Sequence, residues 1–503
     1  MASDEWGDFQ TPIALARQVV QLFDSDEWDR VLEPTCGAGS FLEASMLLGA
    51  DVERKGLEIQ TSHVEKASAS GFDVRQADIF STNLAADIEW ESRGSLLIVG
   101  NPPWVTSAQL GALGSENLPK KTNLKKLNGF DAITGAANFD IAEYILLKIM
   151  TELQHEKPTL AFLVKTHVAR NLVSYAAQFK LPYSKYEIRL IDSKSWFGAS
   201  VDACLFIARH QEPAEYGCDI FDDIVSPVPE RRMAIVEGRL VADLSKYRMA
   251  SAVDGISPLV WRSGIKHDAA RIMELDSETC RELGLEDDYI FPLLKCSDVY
   301  RGRLVPRKRV VVPQTRLGED TAPLRSAAPN LWAYLERHSG VLDNRRSSIY
   351  LNQPRFSVFG IGNYTFAPYK IAISGLHKTA RFALLGPHHG KPALVDDASY
   401  IVGFSDVQDA AMCYAMLNNR LVDALLQSLV FWDSKRPITK KLLQRIDLGA
   451  VARLCPTEEL TAVADEALDS VNGRARRSWE LVLASLLQEW DGASTSSQLA
   501  MAL

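Results

Sequence analysis

The sequence predicts an α/β domain with an open, mostly parallel sheet, followed by a domain of the α+β class. Short apolar runs in the first part have the length and flanking residues of buried strands, with helical patterns between them. These runs end in acidic or amide side chains: Glu33, Glu58, Asp78 and Asn101. After Gln211 the composition changes, and prolines accumulate among acidic residues. We therefore expect one domain at 1–225 and a second at 226–503.

The composition restricts the possible classes of protein. The formal net charge of −9 argues against a nucleic-acid partner unless basic residues are concentrated locally. The seven cysteines include no C-x-x-C pair, so we predict neither a metal site nor a disulfide framework. No apolar run approaches the roughly 18 residues of a membrane span, and the acidic N-terminus lacks a signal-peptide pattern. We expect a cytoplasmic protein without a membrane partner.

A glycine loop follows the first strand. The strand ends near Glu33, Gly37 and Gly39 follow in a tight turn, and a helix begins near Ser40. Two glycines at this spacing allow a ligand to approach the backbone closely. A dinucleotide-binding loop would have a third glycine where Leu42 stands, and Glu33 would repel a pyrophosphate but suit an ammonium group.

Two further carboxylates indicate the kind of ligand. Glu58 ends the second strand-like run, where a ribose-binding carboxylate belongs, and Asp78 follows the third. A glycine loop and three strand-terminal carboxylates fit a nucleoside that carries a positive charge and no phosphate. S-adenosylmethionine (SAM) is such a ligand. The alternative is a redox domain that binds a dinucleotide.

The segment Asn101–Trp104 forms a rigid turn after the apolar run 96–100. Its two prolines cannot donate to a sheet ladder, so the strand stops there. The Asn101 amide oxygen and the Pro102 carbonyl can accept the hydrogens of an exocyclic amino group, and Trp104 can stack on the ring that carries it. The alternative is an ordinary strand-ending turn with a packed tryptophan.

These motifs resemble those of the amino-group DNA methyltransferases. The resemblance rests on the segments 9–12 (Phe-Gln-Thr-Pro), 33–42 and 100–104 in that order, before a long C-terminal region. This order is similar to that of the γ class of N6-adenine methyltransferases, the Taq-like restriction-modification enzymes. The resemblance implies a Rossmann-like class I SAM-dependent methyltransferase domain at 1–225 and an α+β target-recognition domain at 226–503.

The resemblance also implies roles for individual residues. The catalytic turn would comprise Asn101, Pro102, Pro103 and Trp104, although the family usually has Tyr or Phe at the last position. The cofactor residues would be Thr11 and Pro12 at the methionine portion, Glu33, Gly37 and Gly39 in the loop, Glu58 at the ribose, Asp78 at the adenine amino group, and Phe139. The target base would stack between Trp104 and Phe197, with Trp196 as second choice for the latter.

Basic residues are concentrated in several segments, which we interpret as a phosphate-binding surface. The DNA-binding candidates are Lys120, Lys121, Arg301, Arg303, Arg307, Lys308, Arg309, Lys435 and Arg436. The alternative for each segment is a solvated face. We also predict helices at 407–429 and at 458–490, the second broken near Asn472 and Gly473.

The function predicted from these observations is site-specific, SAM-dependent methylation of the N6 amino group of adenine in double-stranded DNA. The base would leave the duplex by base flipping. A bacterial, nucleoid-associated enzyme of a restriction-modification system, with a separately encoded restriction enzyme as partner, fits the resemblance. The alternatives are methylation of an RNA adenine or a protein glutamine amide, and a catalytically silent DNA-binding subunit.

Overall fold

The computed structural model divides the chain into two compact units, Met1–Ser245 and Lys246–Leu503. The structure describes residues 9–105, 140–432, 434 and 436–501, with side chains up to 492. Four of the predicted site residues lie outside the described residues: Lys120, Lys121, Phe139 and Lys435.

The first unit contains a ten-stranded sheet and flanking helices. Its strands are β1 Arg30–Glu33, β2 Glu53–Glu58, β3 Asp73–Gln76, β4 Leu96–Gly100, β5 Thr159–Lys165, β6 Tyr183–Ile191, β7 Ala203–His210, β8 Cys218–Phe221, β9 Arg231–Val236 and β10 Arg239–Val241. Its described helices are α1 Ile13–Val20, α2 Ser40–Ala44, α3 Thr61–Ala69, α4 Leu84–Asp87, α5 Ile141–Glu152, α6 Thr166–Phe179 and α7 Ser193–Phe197.

The strand order is β10-β9-β8-β6-β7-β5-β4-β1-β2-β3. Strands β1 to β5 are parallel, and β7 runs antiparallel to its neighbours β5 and β6. The order reverses between β1 and β4, which is where open α/β sheets form a ligand crevice. The predicted open, mostly parallel sheet is therefore confirmed.

The apolar runs form the central strands of the sheet, where both faces of a strand are covered. All five residues of β4 are buried, and so are the first six residues of β5. Helix α1 lies on the same core with its buried residues Leu15 and Val19. Burial of a Leu or Val side chain contributes about 1.5–3 kcal/mol, so this core holds the strand ends in fixed positions.

The predicted domain boundary requires a correction. The segment rich in Pro and acidic residues after Gln211 is a connection within the first unit, because β8, β9 and β10 follow it and join the same sheet. The units divide at 245/246 rather than at 225/226.

The second unit contains two four-stranded sheets, ordered β11-β18-β15-β16 and β12-β14-β13-β17. The strands are β11 Arg262–Ser263, β12 Glu274–Leu275, β13 Ile290–Leu294, β14 Lys308–Val311, β15 Tyr369–Ser374, β16 Phe382–Leu385, β17 Leu394–Val395 and β18 Ser399–Phe404. The helices from Leu244 onward are α8 Leu244–Ala250, α9 Ala270–Met273, α10 Ser277–Glu282, α11 Cys296–Tyr300, α12 Leu324–Ala327, α13 Pro329–Arg337, α14 Ser339–Leu342, α15 Val407–Leu417, α16 Arg420–Leu429, α17 Lys440–Leu443, α18 Leu448–Leu454, α19 Thr457–Ser470 and α20 Trp479–Met501.

The α+β class and the helical C-terminal part are confirmed, with one difference. The segment predicted as one helix at 407–429 forms two helices, because the Asn419 side chain accepts a hydrogen bond from the backbone N–H of Leu421 and begins α16. The predicted break near 472 is present, and Asn472 has a φ of +52°. No helix in the described part of the chain has the length and apolarity needed to cross a membrane.

An ion-pair network connects the strands of the second unit. Lys295 Nζ lies 2.7 Å from Glu274 Oε1 and 3.2 Å from Asp396 Oδ2. His267 Nε2 lies 3.1 Å from the same Glu274 oxygen. Burial by itself would raise the pKa of Glu274, but the hydrogen bonds from His267 and Lys295 lower this pKa to about 2. The network therefore stabilises the fold only while Glu274 is ionised.

We predict that Glu274→Gln lowers the free energy of unfolding at pH 7 and that the difference from wild type shrinks in acid. A carboxyl group with a depressed pKa contributes stability above its unfolded pKa, near 4.3, and loses this contribution as pH falls to about 2. Urea unfolding at several values between pH 7 and pH 3 measures the difference. A difference that does not depend on pH would contradict the role of the charge.

Candidate active site

A cleft lies at the carboxyl ends of β1 to β4. Five of the predicted site residues line it: Gly37, Glu58, Asp78, Asn101 and Pro103. The other lining residues are Pro34, Thr35, Ile59, Gln60, Ala77, Ile79, Phe80, Ile141 and Ile145. The cleft thus combines two carboxylates and an amide with an apolar wall.

The glycine loop approaches this cleft in a conformation that requires glycine. Gly37 and Gly39 have φ values of +51° and +87°, in the range that disfavours a Cβ. Gln10 covers the loop, because its Oε1 accepts a hydrogen bond of 3.2 Å from the Ala38 N–H. A Cβ on Gly37 would come within 2.7 Å of the same oxygen. The N-terminal segment and the loop are therefore packed closely together.

Glu58 connects the loop to the end of β2. Its Oε2 accepts a 2.8 Å hydrogen bond from the Gly37 N–H, and its Oε1 accepts one of the same length from the Gln60 N–H. Asp78 Oδ1 accepts a 2.9 Å hydrogen bond from the Phe80 N–H. A carboxylate oxygen can accept more than one hydrogen bond, so both side chains retain acceptor capacity toward the cleft that they line.

Glu33 is buried and bonded to the helix that follows the glycine loop. It is 3% exposed, and its Oε2 accepts a 3.0 Å hydrogen bond from the Leu42 N–H in the first turn of α2. Burial raises the pKa of Glu33 well above its usual range, and the backbone hydrogen bonds of Leu42 and Phe41 oppose this effect. Glu33 thus holds the helix that begins at Ser40, and its contact with a cofactor stays a prediction.

Thr11, Pro12 and Gly39 are not among the residues that line the cleft. Thr11 is buried, and the helix α1 begins at Ile13 with Pro12 at the N-cap. The Pro12 carbonyl accepts hydrogen bonds from the N–H groups of Leu15 and Ala16. The predicted contacts of Thr11, Pro12 and Gly39 with a cofactor stay predictions.

The Asn101 amide has a fixed orientation. Its Nδ2 donates a 2.9 Å hydrogen bond to the Phe9 carbonyl, which leaves Oδ1 as the other polar atom. Within the described residues, Asn101 Oδ1 and Thr35 Oγ1 are buried atoms without a hydrogen-bond partner, and both residues line the cleft. A buried polar atom without a partner costs about 1–3 kcal/mol, so these two atoms are ready acceptors or donors for a ligand.

Trp104 lies in an aromatic cluster rather than in the cleft wall. Its indole is 5% exposed, and its Nε1 donates a 3.2 Å hydrogen bond to the Leu163 carbonyl. The ring centroid lies 5.2 Å from that of Phe197 and 5.6 Å from that of Phe9. The structure brings the two predicted stacking residues together, but they pack on each other. Their contact with a base stays a prediction.

Sequence reasoning missed several residues of the site. Gln10 and Thr35 carry no sequence signal for a binding site, because their contacts depend on tertiary structure. Phe80 carries only a weak one, because an aromatic residue after a strand is common. Phe80 packs edge-on against Tyr144 at 5.4 Å. The signal that could have identified Phe80 is its position two residues after Asp78 at a strand end.

The described DNA-binding candidates in the second unit differ in exposure. Arg301, Arg303, Arg307, Lys308 and Arg436 are exposed. Arg307 lies 3.4 Å from Asp298. Arg309 is half-buried, and its Nε donates a 3.1 Å hydrogen bond to Ser277 Oγ. Arg309 is therefore less available for binding a phosphate than the exposed residues of this group.

Comparison with known proteins places the chain in a family. No family model matches it. The type II methyltransferase M.NspV of Nostoc sp. (strain ATCC 29411 / PCC 7524) is 39% identical over 472 residues, which are 90% of this chain and 98% of that protein. The structure of the type IIL restriction-modification enzyme MmeI in complex with DNA has a TM-score of 0.54 at 12% identity, over 98% of this chain and 76% of that chain.

The sheet order and the cleft at its switch point define a class I methyltransferase fold. With a relative of this identity and coverage, the chain belongs to the type II methyltransferases, the DNA methyltransferases of restriction-modification systems.

We predict that Glu58→Gln destabilises the first unit by about 1–3 kcal/mol, because the amide would present a donor to one of two buried N–H groups. Urea unfolding measures the change. Glu65→Gln, at an exposed position of α3, is the matched control and should leave the free energy of unfolding unchanged. Equal effects of the two substitutions would mean that the hydrogen bonds to Gly37 and Gln60 contribute nothing specific.

Proposed function

We propose that this methyltransferase transfers a methyl group from SAM to the N6 amino group of adenine in double-stranded DNA. The observation that carries the proposal is the buried Asn101 Oδ1, which has no partner among the described residues and belongs to a residue that lines the cleft at the end of β4. Its orientation is fixed by the hydrogen bond from Nδ2 to Phe9, so the atom that remains is an acceptor, as an amino group requires.

The residues of the cleft fit SAM. Gly37 allows a ligand to approach the backbone, and the two carboxylates suit hydroxyl and amino groups, with Glu58 at the ribose and Asp78 at the adenine amino group. Ile59, Phe80 and Pro103 offer apolar surface to an adenine ring. When bound, SAM supplies an electrophilic methyl group on a sulfonium centre.

The residues of the Asn-Pro-Pro turn act on the nucleophile. The lone pair of an adenine amino nitrogen is delocalised into the ring and is therefore a poor nucleophile. Asn101 Oδ1 accepts one amino hydrogen and the Pro102 carbonyl accepts the other, so the nitrogen becomes more tetrahedral and its lone pair becomes available. The new N–C bond would replace the S–C bond of the sulfonium, and the nitrogen would then release one amino proton to water. Holding both reactants in one cleft supplies much of the acceleration.

The target base reaches this turn by leaving the duplex. Trp104 and Phe197 hold the extruded ring, at about 1–3 kcal/mol of stacking per base. Because the two rings pack on each other at 5.2 Å, the base must separate them or displace one when it enters. Thr11, Pro12, Glu33, Gly39 and Phe139 complete the cofactor site in this proposal.

An RNA adenine or a protein glutamine amide is the alternative substrate, because its amino group would fit the same turn. The second unit favours DNA: a large unit with exposed cations is suited to reading a duplex. The DNA-binding residues of the proposal are Arg301, Arg303, Arg307, Lys308, Arg309, Lys435 and Arg436 in this unit, with Lys120 and Lys121 in the first. A separately encoded restriction enzyme, in a bacterial cytoplasm near the nucleoid, completes the proposed setting.

We predict that Asp78→Ala weakens SAM binding by about 1.5–3 kcal/mol, the contribution of a hydrogen bond to a charged group. Asp78→Asn should have a smaller effect, because it keeps one acceptor oxygen. Isothermal titration calorimetry with SAM measures both. Asp51→Ala, in an exposed turn of the same unit, is the control. An affinity of Asp78→Ala equal to that of the control would remove Asp78 from the cofactor site.

We predict that Asn101→Ala abolishes methylation while the SAM dissociation constant stays within about twofold, because only the acceptor for the amino group is lost. Wild type and variant are incubated with plasmid DNA, total RNA and a protein extract in the presence of radiolabelled SAM. The modified plasmid base is then identified by mass spectrometry. N6-methyladenine made by wild type alone is the expected result. Label in RNA or protein only, or a methylated cytosine, would overturn the proposal.

A further inference from the structure

The second unit has a half-buried stack of two rings that the proposed reaction does not use. The rings of Tyr300, at the end of α11, and His377, after β15, lie 3.8 Å apart at an interplanar angle of 11°. Tyr300 Oη is hydrogen-bonded to Thr379 Oγ1 at 2.8 Å, and Ser374 Oγ to His377 Nδ1 at 2.7 Å. The stack is thus held in place from both sides.

Two cations lie near the stack, and two more belong to the loops that carry it. The Arg381 guanidinium lies 5.3 Å from the centre of the Tyr300 ring. The charge of Arg301 contributes to lowering the pKa of His377, after the larger effect of burial, so Arg301 is also near. Arg303 and Lys378 belong to the same two loops. We name this set of residues, Tyr300, Arg301, Arg303, His377, Lys378 and Arg381, the Tyr300 patch.

The cations of the Tyr300 patch differ from the other basic residues of the predicted segments. Lys295 is bound by Glu274 and Asp396, and Arg307 lies next to Asp298. In the described part of the chain, Arg301, Arg303, Lys378 and Arg381 are exposed and have no carboxylate oxygen within 4 Å. Positive charge that no carboxylate neutralises attracts an anionic partner.

The patch could not be read from the sequence as one surface. Tyr300 and Thr379 are 79 residues apart, and they meet because α11 packs against the hairpin of β15 and β16. This packing brings the basic loop that follows α11 to the basic loop that joins the two strands.

We propose that the Tyr300 patch binds backbone phosphates of double-stranded DNA. Tyr300 and His377 cover each other, and Arg381 lies against the tyrosine ring, so the rings are occupied by their own neighbours rather than free to stack on an unpaired base. The free groups are the cations, whose partners in DNA are phosphates. The patch therefore positions the duplex and does not read its sequence. This assignment rests on DNA being the substrate.

The double variant Arg301→Gln/Arg381→Gln tests the assignment. Binding is measured by fluorescence anisotropy, without turnover, on a labelled duplex that carries the sequence methylated by wild type and on a scrambled duplex. We expect the affinity for both duplexes to fall about tenfold or more at 0.1 M salt, because phosphate contacts are independent of sequence. The slope of log K against log salt should become shallower by about 1.8, or 0.9 for each lost phosphate contact.

Two controls separate this role from general effects of charge and folding. Arg325→Gln removes another exposed arginine of the same unit that lies over an aromatic ring, 4.9 Å from the Trp332 centroid, and it should bind both duplexes as wild type does. Tyr300→Phe keeps the ring that supports Arg381 and should retain most of the affinity, whereas Tyr300→Ala should not. The SAM affinity of all variants should equal that of wild type.

Several results would overturn the assignment. The first is an unchanged DNA affinity and salt slope for the double variant, and the second is an equal loss of DNA affinity with Arg325→Gln. The third is a loss of affinity for the specific duplex alone, which would indicate that the patch reads bases. If wild type methylates plasmid DNA while the double variant binds normally, the patch assignment fails and the proposed function stands. If wild type neither binds nor methylates duplex DNA, both fail.

Discussion

The hydrogen bond from Asn101 Nδ2 to the Phe9 carbonyl decides which atom of the amide is left without a partner among the described residues. An asparagine side chain can present either a donor or an acceptor, and only the acceptor suits an amino group. The same N-terminal segment covers the glycine loop through Gln10 and Ala38. One short stretch before α1 therefore fixes both the reactive turn and the loop of the proposed cofactor site, and buried β4 holds the turn at the height of the cleft.

Much of the first unit could be predicted because its signals are local. A buried strand that ends in a carboxylate or an amide positions that side chain at a sheet edge, and parallel strands bring these edges together. Gly37, Glu58, Asp78 and Asn101 line one cleft for this reason. Glu33 did not follow the rule, because the first turn of α2 lies close enough to take its carboxylate as a cap.

The remaining features depend on contacts between distant segments. The boundary was misplaced because a connection rich in proline and acidic residues resembles a linker, whether or not the chain afterwards returns to the same sheet. The sequence also does not show whether a basic residue is free to bind a phosphate. Lys295 and Arg301 are six positions apart, yet Lys295 is bound by two carboxylates and Arg301 by none in the described structure. Trp104 illustrates the same limit, since its sequence context fits both a stacking residue and a packed one.

Each unit contains a hydrophobic cluster composed of its own residues. One includes Leu15, Val31 and Leu97 in the first unit, and another includes Met273, Val310 and Leu331 in the second. Because the two clusters share no residue, a substitution within one does not alter the membership of the other, and the two parts of the chain can accumulate changes at different rates. If the second unit chooses the target, as the proposed function requires, evolution can remodel that unit while the reaction is inherited intact, and related enzymes can come to mark different sequences.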